Sequence, residues 1–365
     1  MSTPEFQLLL LSLRIEGSPR AVIEARRIIE TGEIMWDDLY QQANYHNVRP
    51  QLLKLLNGFA AEIYPSPFRG KLETACRRNL YNQLSYIEEF FRVRQFLNEA
   101  GIHPVPFKGF WLGYCAYGNL ADRESGDVDV FIRSGDLEKI RALMEERGYR
   151  VENAFSHSSV KEVMNRSQEY NFDRIEEGVS RFHIEFHWGI CPPDYGMGIT
   201  LEELESQITT TIIQGQELEV FTPSANLLLT LMHHGGKDRF GLLKQILDIA
   251  LIMKDDKIDW SWVRSKAIKY NLEPVVYVGA NLATRLTGID LPEKIRVEAV
   301  SKKITRLTEE RLRMLMTVRN GRSKVSLNFS NWLFRMRSRT GLILKTKITI
   351  ATGKEVVSKF LTTTS

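Results

Sequence analysis

The sequence of 365 residues predicts an α+β fold, in which N-terminal and C-terminal helical regions flank a small mixed β-sheet. Two observations favour this architecture. Apolar residues recur at three- and four-residue spacing near both ends of the chain, as they do along one face of a helix. Between the two ends, short apolar segments alternate with polar turns and helical segments, which is typical of a small sheet that carries helices.

Residues 1–100 are predicted to form an N-terminal helical region. The helical spacing is clearest within 21–29, 52–56 and 90–96, and Gly101 is a plausible end for the last helix. Pro65 and Pro67 separate this longer helix from the shorter ones before it.

Residues 101–222 are predicted to form the sheet domain. Strands are expected, in chain order, at 102–107, 128–132, 149–151, 170–172 and 182–188. Helices are expected at 110–117 and 137–147. The polar, glycine-containing stretch 173–180 predicts a hairpin between the last two strands.

The rest of the chain is predicted to form a helical domain, residues 223–300, and a basic segment, residues 301–365. Apolar stripes mark helices at 226–232, 242–253 and 260–269. The basic segment contains 15 Lys or Arg and 3 acidic residues, whereas the first 300 residues have a net charge of −8. Such a segment either binds a phosphate-rich partner or an anionic membrane surface, or forms a solvated helix and tail.

The composition excludes several classes of protein. Hydrophobic residues make up 43% of the chain and charged residues 26%, which are ordinary globular values. The 3 cysteines are far apart, so neither a disulfide framework nor a thiolate zinc site is expected. We see no secretory signal and no apolar run that is long enough for a transmembrane segment, and therefore expect a reduced, soluble, cytoplasmic protein.

Asp127 and Asp129 alternate with valines in the segment SGDVDVFI, residues 125–132. Because alternate side chains of a strand share a face, both carboxylates point the same way. Neighbouring carboxylates resist ionisation unless a cation neutralises them, and oxygen ligands of this kind suit Mg²⁺ or Mn²⁺. On its own, the pattern also fits an edge strand with two solvated aspartates.

A third acid, Glu185, lies in the segment FHIEFHW, residues 182–188, with His183 and His187 on the same face. If this strand lies beside the first, three carboxylates converge, a geometry that can hold two divalent ions for phosphoryl or nucleotidyl transfer. The histidine spacing is not that of a helical zinc motif, and no cysteine accompanies it. We therefore expect the imidazoles to support Glu185.

Lys108 and Gly109 lie between the predicted strand 102–107 and the predicted helix 110–117. A glycine at such a turn lets backbone amides approach an anion, and the lysine adds a positive charge. The alternative is a glycine at the start of a helix beside an exposed lysine.

Together, these residues resemble the DNA polymerase beta-like nucleotidyltransferase superfamily, and within it the bacterial family of uncharacterised nucleotidyltransferases. The resemblance covers about residues 5–290. It rests on the strings PFKG (106–109), Arg123 ahead of DVD (127–129), EFHW (185–188), HHGGK (233–237) and LDIA (247–250). The turn of the superfamily commonly reads Gly-Ser or Gly-Gly, whereas Phe110 follows Gly109 here, so Lys108 would substitute for a phosphate-binding serine.

The resemblance implies an enzyme that moves a nucleoside monophosphate from a nucleoside triphosphate, such as ATP, to a hydroxyl acceptor and releases pyrophosphate. Asp127, Asp129 and Glu185 are then the catalytic residues and the ligands of Mg²⁺ or Mn²⁺, with Glu185 alternatively acting as the base. The residues expected to bind the nucleotide and its phosphates are Lys108, Gly109, Arg123, His234 and Lys237.

Three further features are open to interpretation. The cationic cluster around His234 and Lys237 suits either a bound phosphate or the dipole at a helix C-terminus. Asp248, within an apolar helix, is expected to pair with a basic side chain. An aromatic stripe fits either the core or a surface on which a nucleobase stacks, and it consists of Trp111, Tyr114 and Tyr117.

Two other functions stay open at this stage. One is a toxin-type nucleotidyltransferase that acts on tRNA, and the other is a non-catalytic nucleotide-binding or interaction protein with the same fold. The acceptor is a small molecule, a protein or RNA, since all three offer hydroxyl groups.

Overall fold

The computed structural model describes residues 3–15, 19–59, 63–191, 195–317, 324–339, 344–350 and 353. Its strands are β1 (Val105–Pro106), β2 (Val128–Phe131), β3 (Arg150–Val151), β4 (Glu169–Glu176), β5 (Val179–His187), β6 (Ile208–Ile213) and β7 (Gln216–Phe221). Its longer helices are α1 (Pro4–Ser12), α2 (Pro19–Thr31), α3 (Trp36–Tyr45), α4 (Arg49–Leu56), α5 (Ser66–Glu99), α6 (Gly109–Cys115), α7 (Leu137–Glu146), α8 (Val160–Arg166), α9 (Pro223–Leu231), α10 (Leu243–Ile252), α11 (Trp260–Lys269), α12 (Glu273–Thr287), α13 (Glu293–Ala299), α14 (Lys302–Thr317) and α15 (Lys324–Arg337). A π-helical turn, Met232–Lys237, follows α9. Among the described helices, none has the length and apolarity needed to cross a bilayer.

Five strands form one mixed sheet in the order β1-β2-β5-β4-β3, and β6 and β7 form a separate hairpin. Within the sheet, β2 runs parallel to β5, while the other neighbouring strands are antiparallel. This arrangement confirms the predicted α+β class, with a small mixed sheet between helical regions.

One face of the sheet is apolar and is covered by helices. Val128 of β2 packs with Ile184 and Phe186 of β5 against α5 and α7 in a single buried cluster. Because alternate side chains of a strand point to opposite faces, Asp129 and Glu185 lie on the other face of the same two strands.

A second buried cluster joins the helices from the two ends of the chain. It includes Leu9 of α1 and Leu52 of α4, together with Leu228 of α9, Ile246 of α10 and Val278 of α12. The N-terminal helices and those after α9 therefore share one apolar core. The division of the chain into four segments stays a prediction.

The β4–β5 hairpin is longer than predicted. Its two-residue turn consists of Glu177 and Gly178, with positive φ angles of 51° and 81°. The predicted hairpin is confirmed, but its turn is shorter than the predicted stretch 173–180, because the exposed end of the hairpin is polar and shows no apolar alternation. Ser180 Oγ donates across the strands to Asp173 Oδ1 at 2.6 Å. The β6–β7 hairpin was not predicted, since its outward residues are mostly threonine and glutamate.

The described part of the basic segment packs onto the helical region. Helix α14 lies against α12, and the side chains of Arg311, Arg335 and Arg339 are buried. Arg335 Nη1, for example, donates to the Tyr195 hydroxyl at 2.8 Å. One face of this part is therefore buried, while Lys302, Lys303 and Arg306 of α14 are exposed. Residues 354–365, where a free tail was considered, lie outside the described residues.

Candidate active site

Strand pairing brings three carboxylates to one patch of the sheet. Asp129 of β2 and Glu185 of β5 are register partners, so their side chains stand next to each other on the same face. Asp127 lies in the bend directly before β2, two positions ahead of Asp129. The proximity is evident in the pKa of Asp127, which both of the other carboxylates raise. The structure therefore brings together all three predicted catalytic acids.

The two aspartates differ in their electrostatic surroundings. Burial, with the neighbouring carboxylates, raises the pKa of Asp127 to about 6. Burial also opposes ionisation of Asp129, but Lys108 and a hydrogen bond with His187 outweigh it and hold the pKa of Asp129 below its usual value. Within the described part of the chain, no hydrogen-bond donor reaches the Asp127 carboxylate.

Two histidines flank Glu185. His183 Nε2 lies 3.4 Å from Glu185 Oε1, and His187 Nε2 lies 3.3 Å from Oε2. Burial opposes ionisation of Glu185, but the two imidazoles hold its pKa well below the ordinary value. Hydrogen bonding to Glu185 and then to Asp173 raises the pKa of His183 to about 9, despite burial. The surroundings therefore favour an ionised Glu185.

The turn at Lys108 and Gly109 lies directly against β2. Both residues have positive φ angles, 54° and 38°. A β-carbon on Gly109 would lie 3.2 Å from the Asp127 carbonyl oxygen and 3.7 Å from Asp129 Oδ2, so glycine suits both the backbone angle and the close approach. The buried Lys108 Nζ lies 2.7 Å from Asp129 Oδ1 and 3.1 Å from His233 Nε2.

A fourth acid, Glu169 of β4, borders the cluster, and it was not predicted from the sequence. Glu169 is the register partner of His187, and its Oε2 lies 3.6 Å from His187 Nδ1. Lys237, a predicted phosphate-binding residue, donates to the same oxygen at 2.6 Å. The alternation of Glu169 with Asn171 and Asp173 is visible in the sequence, but the predicted strand began one residue too late to include it.

The family comparison matches residues 32–288, most of the chain, to a family described as uncharacterised nucleotidyltransferase. The chain belongs to this nucleotidyltransferase family. It is therefore a nucleotidyltransferase enzyme, and the family inferred from the turn and the carboxylates is confirmed.

Among solved structures, this nucleotidyltransferase is similar to the lincosamide antibiotic adenylyltransferase LnuA in its lincomycin-bound crystal structure. The two share 16% sequence identity over 46% of this chain and 96% of the other, with a TM-score of 0.33. No curated protein matches the chain significantly.

Two other predicted phosphate-binding residues of the nucleotidyltransferase, Arg123 and His234, direct their hydrogen bonds to Asp248 of α10. Arg123 Nε and Nη2 donate to the two Asp248 oxygens at 3.0 and 2.9 Å, and His234 Nε2 lies 2.9 Å from Oδ2. Tyr117 donates to Oδ1 at 2.7 Å. Arg123 Nη1 donates to the Gly109 carbonyl at 2.8 Å. Asp248 thus pairs with a basic side chain, as expected, and links α10 to the turn.

The hydrogen bonds of the π-helical turn fix the tautomers of its two histidines. Because an ammonium only donates, His233 accepts from Lys108 at Nε2 and carries its proton on Nδ1, 3.2 Å from Asp238 Oδ2 and 3.3 Å from His234 Nδ1. Because a carboxylate accepts, His234 carries its proton on Nε2, toward Asp248. Burial lowers the pKa of His233 to about 3 and also lowers that of His234, so both rings are neutral.

The donor atoms of the carboxylate cluster fit a divalent metal ion. Ligand atoms of Asp129, Glu185 and His187 lie within 4.8 Å of one another, and Asp127 adds a carboxylate without a hydrogen-bond donor in the described chain. The buried His187 Nδ1 has no hydrogen-bond partner among the described residues. A set dominated by carboxylate oxygens suits Mg²⁺ or Mn²⁺.

Lys244, near the start of α10, is a cation of the site that no local pattern indicated. Its Nζ donates to the Glu124 carbonyl at 3.0 Å, and its charge lowers the pKa of Asp127. Burial, followed by the charge of Arg123, lowers the pKa of Lys244 itself. Only the folded chain brings residue 244 close to residue 127.

The aromatic stripe after the turn is divided between core and surface. Trp111 is buried and donates to Asn226 Oδ1 at 3.3 Å, and Tyr117 packs against the core with its hydroxyl on Asp248. Tyr114 is 42% exposed and stacks on Trp111, with ring centroids 6.0 Å apart. The core interpretation therefore holds for two of the three rings.

Proposed function

We propose that this enzyme transfers a nucleoside monophosphate from a nucleoside triphosphate to a hydroxyl acceptor, in a reaction that depends on Mg²⁺ or Mn²⁺ and releases pyrophosphate. One observation carries the proposal: Asp129 and Glu185 are register partners on adjacent strands, and Asp127 is close enough for both carboxylates to raise its pKa. Burial, followed by repulsion from the Asp129 and Glu185 carboxylates, raises the pKa of Asp127 to about 6. Such a concentration of negative charge calls for a cation.

Asp127, Asp129 and Glu185 would hold the metal. A bound divalent ion neutralises phosphate charge and lowers the pKa of a hydroxyl nucleophile. At neutral pH, all three carboxyl groups are mostly ionised, since the highest pKa among them is about 6. The three carboxylates can therefore bind a cation without first releasing a proton.

Glu185 is better suited to hold the metal than to act as the base, because its histidine neighbours keep it ionised and lower its pKa, which weakens it as a proton acceptor. The metal would lower the pKa of the acceptor hydroxyl, which would lose its proton to water as its oxygen attacks the α-phosphorus. The bond from the α-phosphorus to the bridging oxygen breaks, and pyrophosphate leaves with the electron pair. The positive charges of Lys108, Lys237 and Lys244 would stabilise the negative charge of the leaving pyrophosphate.

Arg123, Gly109 and His234 are assigned a supporting part in nucleotide binding. Arg123 and His234 donate hydrogen bonds to Asp248, and Arg123 also donates to the Gly109 carbonyl. These hydrogen bonds hold the turn in place. Gly109 allows the turn to lie against β2. Direct contact of these residues with phosphate stays a prediction.

The predicted helical domain, residues 223–300, would form the other wall of the site next to the sheet domain, residues 101–222. Side chains from both segments meet around the carboxylates, in the pairs Lys108–His233, Arg123–Asp248 and Glu169–Lys237. These contacts support a cleft between the sheet and the helices as the place where the nucleotide binds.

Incubation with radiolabelled nucleotides tests the proposal. Purified protein, Mg²⁺ and cell extract are combined with each triphosphate in turn, ATP among them, labelled at the α-phosphate or at the γ-phosphate. Only the α-label should enter an acceptor, and Asp129→Asn should transfer none. Label in tRNA would indicate the toxin-type function and an anionic partner for residues 301–365. Nucleotide binding with no transfer to RNA, protein or small molecules would contradict the proposal and favour a non-catalytic protein.

A further inference from the structure

The ammonium group of Lys108 lies beside Asp129, where a metal ion is expected. Its Nζ is 2.7 Å from Asp129 Oδ1, the distance of a charge-assisted hydrogen bond, and the side chain is buried. Its other partner is the neutral His233, whose Nε2 is 3.1 Å away. Lys108 therefore already neutralises a carboxylate that the proposed function assigns to the metal.

The other lysines near the cluster are held by different groups. Lys237 pairs with Glu169 at 2.6 Å, and Lys244 donates to the Glu124 carbonyl at 3.0 Å. Within the described ranges, Lys108 is the one lysine or arginine at ion-pair distance from any of the three carboxylates. Asp129 therefore has the Lys108 ammonium as a partner in addition to the His187 imidazole, whose Nε2 lies 3.0 Å from Asp129 Oδ1.

The backbone of Lys108 is held in a conformation that few residues other than glycine adopt, with φ 54° and ψ −131°. Such conformations persist where the surroundings enforce them, and they cluster at functional sites. Here the side chain is fixed by Asp129 and His233, and the backbone is fixed by Arg123, which donates to the Gly109 carbonyl. The turn thus places an ammonium on the carboxylate cluster.

We propose that Lys108 is an internal counterion that a divalent metal must displace, so that the metal binds tightly only together with a nucleotide. This inference rests on the proposed metal-dependent nucleotidyl transfer. A metal ion alone has to share Asp129 with a nearby ammonium, and repulsion between the like charges weakens its binding. A triphosphate offers Lys108 new anionic partners and so relieves the repulsion.

The exchange couples the two ligands. By thermodynamic linkage, the nucleotide strengthens metal binding by the same factor by which the metal strengthens nucleotide binding. Free metal binds the carboxylate cluster weakly, and the metal–nucleotide complex binds it more tightly because Lys108 moves from Asp129 to phosphate. Lys108 then performs the phosphate-binding part predicted for it.

Titrations with Mn²⁺, followed by the electron paramagnetic resonance signal of the free ion, test the exchange without catalysis. In the absence of nucleotide, Lys108→Met should bind Mn²⁺ about tenfold more tightly than the wild type. Lys108→Arg keeps the charge and should remain within about twofold of the wild type. Lys54→Met removes a lysine that pairs with Asp122 outside the cluster, and it should leave the affinity unchanged.

A Lys108→Met protein that is folded by circular dichroism but binds Mn²⁺ no more tightly than the wild type would overturn the exchange. If that variant does not fold, the wild type decides, because equally tight Mn²⁺ binding with and without a non-hydrolysable triphosphate also overturns it. Wild-type protein that binds no Mn²⁺–nucleotide complex at all would contradict the proposed function instead, so the two failures are distinguishable.

Discussion

Asp127 and Asp129 are two positions apart, yet they hold protons very differently. Lys108 and His187 keep Asp129 ionised against the effect of burial. Burial and two neighbouring carboxylates raise the pKa of Asp127 to about 6. A bound metal ion would therefore stabilise the ionised form of Asp127 most. Asp129 would instead exchange the Lys108 ammonium for the metal ion.

Asp127→Asn and Asp129→Asn should each reduce kcat for nucleotidyl transfer by about a thousandfold, because each removes a negative charge that holds the metal. Steady-state kinetics at saturating Mg²⁺ would measure the loss, with circular dichroism to confirm folding. Asp37→Asn is the control, since the Asp37 carboxylate is exposed and pairs with Lys71. Turnover retained in both site variants would remove these carboxylates from the mechanism.

Lys244→Ala should weaken nucleotide binding by about tenfold, because the ammonium lies near Asp127 and contributes positive charge at the site. Fluorescence titration with a labelled triphosphate would measure the dissociation constant. Lys139→Ala is matched to it, because Lys139 also donates to a backbone carbonyl, that of Ala100, but on the surface. Equal affinities of the two variants would show that Lys244 does not contact the nucleotide.

At the scale of elements, the buried Asp248 carboxylate connects α10 to the turn before α6. Its oxygens accept hydrogen bonds from Tyr117, Arg123 and His234, and Arg123 continues to the Gly109 carbonyl. His233 also contacts this turn, because it accepts a hydrogen bond from the Lys108 ammonium. A shift of α10 would therefore be transmitted to the residues that face the phosphates.

Asp248→Ala should lower the free energy of unfolding by about 3–5 kcal/mol, because it leaves the Arg123 guanidinium buried without its partner. Replacing both partners, Arg123→Met with Asp248→Leu, should restore much of this stability, since a buried ion pair can be exchanged for packed apolar groups. The double variant should still show a raised KM for the nucleotide, because the Gly109 carbonyl has lost its donor. Urea denaturation and kinetics would measure the two effects. Normal KM in a stable double variant would contradict a positioning role.

The junction of α3 with α4 also contacts α10, through His46. The amide of Leu243 donates to His46 Nδ1 at 3.4 Å, and the amide of Lys244 donates to the His46 carbonyl at 3.2 Å. Burial lowers the pKa of His46 to about 4. Protonation would remove the acceptor and place a positive charge at the N-terminal end of the helix.

Low pH should therefore lower the free energy of unfolding, because His46 becomes protonated. Because its pKa is about 6.5 when unfolded and about 4 when folded, the unfolded chain binds more protons between these values, and the free energy of unfolding falls as the pH drops. The loss from this residue is about 3 kcal/mol in total. Urea denaturation at pH 7 and pH 4.5 would measure it. His46→Asn keeps an acceptor and does not titrate, so it should lose less; equal losses would exclude His46 as the cause.

The sequence was sufficient to predict which side chains of a strand share a face. It was not sufficient to predict which strands pair with each other. Alternation alone placed Asp127 with Asp129, and Glu185 with its histidines. The pairing of β2 with β5 depends on long-range packing that leaves no local trace, and so does the ion pair between Arg123 and Asp248, 125 positions apart. For the same reason, the position of Lys244 relative to the turn at Lys108 and Gly109 could be seen only in the structure.

At the scale of the whole molecule, the site lies where two buried clusters adjoin. One cluster fixes the sheet from behind with α5 and α7, and the other joins the N-terminal helices to α9, α10 and α12. The carboxylates come from the sheet, while the ammonium groups of Lys237 and Lys244 come from the helical side. Because the charges on the two sides are complementary, nucleotide binding depends on how the helices are docked against the sheet.

The central claim is that acids from two separate strands share a cation next to the nucleotide. Crystals grown with Mn²⁺ and a non-hydrolysable triphosphate would test it most directly, by anomalous diffraction at the manganese edge. We predict a peak coordinated by carboxylate oxygens of Asp127, Asp129 and Glu185 and by the triphosphate. The ligand atoms of His233, His234 and Asp238 also lie within 4.8 Å of one another. Manganese bound there instead, or a nucleotide bound with Glu185 turned away from the ion, would contradict the claim.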